Sequence, residues 1–114
     1  MVRLSDLRSL INNLEESFNE VDKRINTIND IVVHLYLLKK QDNGVAGKHI
    51  KRAFIMLGDA LKFCNKNSLT IKQLNVIKQI ANMITNEPVS HSTLSEIDDL
   101  LTDNDLEWIP QDND

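Results

Sequence analysis

Apolar residues recur along the first third of the chain with a regularity that dictates a helix. Leu4, Leu7, Ile11, Leu14, Phe18, Val21, Ile25, Ile28, Val32 and Leu35 are separated alternately by three and four positions, the spacing that lines one face of an α-helix. The pattern predicts one continuous helix from about Leu4 to Lys40, stopped by Asp42-Asn43-Gly44, whose glycine suits a left-handed C-terminus. Some 37 residues at 1.5 Å each give a rod of roughly 55 Å. A compact chain of this length has a radius of gyration of only about 13 Å, so the rod is expected to overhang its own domain.

The two halves of this helix differ. Up to Ile28 the stripe is narrow and flanked by Asn12, Asn13, Glu15, Glu16, Asn19, Glu20 and Asp22, the profile of a two-helix seam. From Asp30 onward Ile31, Val33, Tyr36, Leu37 and Leu38 widen the apolar surface, as expected where other helices surround it. Residues 1–29 therefore read as a projecting heptad arm, and the rest of the helix as core.

Three shorter helices follow. Ile50, Phe54, Leu57, Leu61 and Cys64 mark a second helix over about 48–65, ended by Asn65-Lys66-Asn67-Ser68. A third starts at Thr70, whose spacing to Gln73 is that of a capping box, with Leu69 and Leu74 as the hydrophobic staple. Pro88 ends it by Glu87. A fourth begins at Ser92 or Thr93, with Thr93 and Glu96 at capping-box spacing, and carries Leu94, Ile97, Leu100 and Leu101. The expected fold is all-α: an irregular bundle of about four helices, one of them long and heptad-patterned. Residues 1–102 form a single domain, followed by an acidic, partly disordered tail over 103–114 in which Leu106, Trp108 and Ile109 are the residues able to dock.

Composition narrows the function classes. The 114 residues carry a net charge of −4 with a single cysteine and only three glycines. No run approaches the roughly 18 apolar residues of a membrane span, and polar residues interrupt the first twenty positions where a secretory signal would need an apolar stretch. A lone Cys64 forms no intramolecular disulfide and suits a reducing cytoplasm. His34, His49 and His91 lie far apart in sequence and from Cys64, so no zinc spacing is present. Asp103-Asn104-Asp105 lacks the glycine and glutamate of a calcium loop. Neither a nucleophile elbow nor a glycine-rich phosphate loop occurs. No catalytic residue, cofactor or metal site is assigned, and an enzyme is not expected.

The order of the charges says more than their sum. Residues 1–44 are nearly balanced, 45–86 hold seven basic and one acidic group, and 87–114 hold nine acidic groups and no base. The −9 tail is a candidate to fold over the basic middle, anchored by Trp108. Two functions follow. In the first, a small regulatory protein, an adaptor, partner-specific chaperone or inhibitor, binds another protein or forms a homodimer through the arm residues Leu4, Leu7, Ile11, Leu14, Phe18 and Val21, with Trp108 as a further contact. In the second, a transcriptional regulator reads DNA with the basic, amide-rich surface of Lys48, Lys51, Arg52, Lys72, Asn75 and Gln79, because Asn and Gln pair bidentately with adenine. The negative total and the single arginine among these cations weigh toward the first.

Overall fold

The computed structural model describes residues 2–41, 47–66, 69–86 and 88–106, and every element in them is helical: α1 Leu4–Glu16, α2 Val21–Lys40, α3 Lys48–Lys66, α4 Ile71–Asn86 and α5 His91–Asp103. The long rod expected from the heptads is instead two helices folded back on each other. Ser17 ends α1: its hydroxyl donates to the carbonyls of Asn13 (2.9 Å) and Leu14 (3.3 Å), and its backbone leaves helical geometry at φ −94°, ψ 11°. Glu20 is extended (φ −112°, ψ 98°) and its amide closes the turn on the Ser17 carbonyl at 3.0 Å. Arg24 fastens the corner, donating from Nη1 to the Phe18 carbonyl at 3.1 Å while its guanidinium lies 5.4 Å from the Phe18 ring centroid.

The projecting arm is corrected with it. Folding back lets α1 bury its own stripe, so Leu7, Ile11 and Leu14 are 0%, 3% and 0% exposed and belong to the same core as Ile28, Leu35, Phe54 and Ile77. At the far end of the hairpin His34 Nε2–H donates to the Arg3 carbonyl at 2.8 Å, pinning the start of α1 beside the C-terminal half of α2. On its other side α1 runs antiparallel to α4: Arg8 donates to Thr85 Oγ1 (2.8 Å) and to Asn86 Oδ1, and Lys78 pairs with Glu15 at 2.6 Å. The Cα radius of gyration is 13.1 Å and the longest principal extent 36 Å, well short of the expected rod.

The remaining helices lie close to where the pattern puts them. Thr70 and Gln73 make the reciprocal capping box, each backbone amide donating to the other's side chain at 3.1 Å, and Leu69 and Leu74 are buried. The last helix starts at His91, one or two residues earlier than expected. Ser90 is its cap and Thr93 the reciprocal partner, so Glu96 has no part in the box. It ends at Asn104, where Asp105 takes a left-handed conformation (φ 58°) and the Leu106 amide returns to the Leu101 carbonyl at 2.9 Å. Gln73 Nε2 donates to the Asn104 carbonyl at 3.1 Å, joining the end of α5 to the start of α4. Leu106 is 2% exposed, so the first apolar residue of the acidic segment docks. Trp108 and Ile109 lie outside the described residues.

Candidate functional site

Helix α2 holds the most conspicuous surface. It packs against α1 and α3, and these contacts bury Ile28, Ile31, His34, Leu35 and Leu38. The opposite side stays open, and between residues 33 and 37 it is apolar. Val33, Tyr36 and Leu37 are 56%, 53% and 42% exposed, and with Lys40 they occupy positions i, i+3, i+4 and i+7 of one helix face. These residues were expected to be enclosed by other helices. Because α1 returns along the far side, no described element covers them. Single exposed apolar residues are common on protein surfaces, whereas three large ones within five positions form a contiguous apolar patch, which makes this face the candidate site.

The patch has a charged rim. The Lys40 ammonium lies 4.8 Å from the Tyr36 ring centroid. Its hydrogen bond and its positive charge hold the Tyr36 phenol below the usual tyrosine range; Lys39 adds slightly and partial burial opposes. Beyond Tyr36 the surface dips into a groove of about 340 Å³ between α2 and α3, with Val32, Tyr36 and Lys39 on one wall and Ile55, Asp59 and Lys62 on the other. Gly58, also part of this lining, is buried; a methyl group there would meet the Leu35 Cδ1 at 3.9 Å, an ordinary contact.

The sequence-predicted association residues are dispersed by the turn. Leu7, Ile11 and Leu14 are core, Leu4 and Phe18 are half-buried against it, and Val21 stands exposed at the first turn of α2. The candidate nucleic-acid residues are divided between two helices. Lys72, Asn75 and Gln79 are exposed along α4. Lys48, Lys51 and Arg52 sit in the first turns of α3, roughly 20–27 Å along that helix from the end that leads into α4. Lys51 and Arg52 are half-buried, Arg52 is already engaged by a partner, and Lys78 is occupied by Glu15.

Two histidines that the sequence separates are neighbours in space. His49 and His91, at the starts of α3 and α5, have ring centroids 6.2 Å apart in an edge-on arrangement. Among the described residues no third His, Cys, Asp or Glu joins them to make a ligand set. Cys64 is 4% exposed, and burial pushes its thiol up to about 11, which makes it a core filler rather than a nucleophile. Among the described residues no helix is long and apolar enough to cross a membrane. Comparison of the chain with protein-family models, with curated proteins and with solved structures returns no match.

Proposed function

We propose that this chain is a protein–protein interaction module of a regulatory kind, an adaptor, partner-specific chaperone or inhibitor rather than an enzyme, which associates through the open face of α2. The observation that carries this reading is the exposure of Val33, Tyr36 and Leu37 on one helix face, beside a groove lined by both apolar and charged residues. A partner helix laid on that face would cover the strip and meet the lysines on its rim, a recurrent mode of recognition. The buried thiol of Cys64 agrees with work in a reducing compartment.

A photo-crosslinking amino acid at Leu37, introduced in the cell the protein comes from, tests the reading. A discrete protein adduct at Leu37, absent when the probe is placed at the exposed Asn12 on α1, is the expected result. Adducts that are equal at both positions, or absent at Leu37, overturn it.

The exposed row Lys72, Asn75 and Gln79 on α4 favours DNA as a second reading. It requires duplex binding that weakens steeply with salt and with Lys72 and Gln79 replaced by alanine. No retardation of duplex DNA at low salt removes it.

A further inference from the structure

We infer that the occupant of the α2 face is a second copy of this chain, with the two α2 helices antiparallel. The inference rests on the reading of α2 as the association surface and names its partner. The order of residues on that face supports it. Asp30, Val33, Leu37 and Lys40 follow one another at spacings of three, four and three, and all four are exposed, so they form one continuous seam. The seam is complementary to its own reverse. Turned end for end about a point between His34 and Tyr36, it sets Val33 of each copy against Leu37 of the other and Asp30 of each against Lys40 of the other. Each contact then occurs twice, as a two-fold interface requires.

Charge also selects the direction. Along this seam α2 carries Asp30 in its middle and Lys40 in its last turn. A parallel pair would stack Asp30 on Asp30 and Lys40 on Lys40, whereas the antiparallel pair makes two opposite-charge contacts. Tyr36 lies at the edge of the seam beside the groove, where its ring extends the apolar contact and Lys40 of its own helix stays close to it.

Sedimentation of the purified full chain from about 1 to about 300 µM tests this, since a one-helix contact of this kind falls at the weak end of specific interfaces. The wild type should pass from the 13.0 kDa monomer toward twice that mass. Asp30→Lys should weaken dimerisation about tenfold, because two attractive pairs become repulsive, and the double variant Asp30→Lys with Lys40→Asp should restore it. Both positions are exposed, so circular dichroism of each variant should match the wild type. A wild type that remains monomeric throughout overturns the inference, and so does an Asp30→Lys variant that dimerises as well as the wild type. Under either result, a crosslink from Leu37 to a different protein would leave the broader reading of α2 standing, while no specific crosslink would remove that reading too.

Discussion

Cys64 shows how burial governs a single side chain. Its thiol is held up to about 11 by desolvation alone, against an ordinary value of 9.0. The folded protein should therefore react slowly with thiol reagents at pH 8, and the unfolded chain quickly, which a timed colorimetric assay with and without denaturant measures. The same shift links stability to pH. Below pH 9 the thiol is neutral in both states; between 9 and 11 the unfolded chain loses its proton while the folded one keeps it. Stability should fall through that window by up to about 1.4 kcal/mol per pH unit, and Cys64→Ala should flatten the fall in denaturant titrations. Gly58 is the other informative single position. It lies in the interior of α3, where glycine costs roughly 0.5–1 kcal/mol relative to alanine, and the space for a methyl group is present. Gly58→Ala should raise stability by about that amount in chemical unfolding. It also narrows the groove, so a loss of Leu37 crosslinking in this more stable variant would place the groove within the contact.

At the scale of elements, the helix starts are the most legible features of the sequence. The Thr70 box and the Leu69–Leu74 staple are local, three to five residues across, and α4 begins where they put it. Thr70→Ala should cost about 1 kcal/mol by thermal melting. The Ser17 corner was not legible. No glycine or proline precedes Gly44, the heptad phase runs unbroken through the turn, and a serine hydroxyl bonded to the carbonyl four residues back also occurs within continuing helices. What decides the matter is tertiary: a stripe that faces a partner rod and a stripe that faces the other arm of a hairpin have the same period. The candidate site was hidden for the same reason. Val33, Tyr36 and Leu37 read as core until it is known which side of α2 the returning α1 covers, and that choice is recorded in contacts such as His34 to Arg3 rather than in any local pattern.

For the whole molecule, the position of α1 changes what disrupting its stripe does. In a projecting arm, charged substitutions at Leu14 would yield a folded monomer. With Leu14 fully buried, Leu14→Ala should instead cost about 2–5 kcal/mol, and Leu14→Glu should abolish the cooperative melt. Calorimetry distinguishes the two outcomes. The corner itself has one more consequence. Because the repeat keeps its phase across residues 17–20, opening that hinge would align α1 and α2 as a single straight helix with its stripe intact. The seat that α1 leaves between α2 and α4 is then free to receive α1 from another molecule, which is the geometry of domain swapping. Replacing Ser17, Asn19 and Glu20 with alanine removes the Ser17 hydroxyl bonds at the corner and raises helix propensity through the turn. Such a variant should yield an exchanged dimer that persists on dilution and ignores Asp30→Lys, so the corner that keeps this chain compact also guards it against trading its first helix with a neighbour.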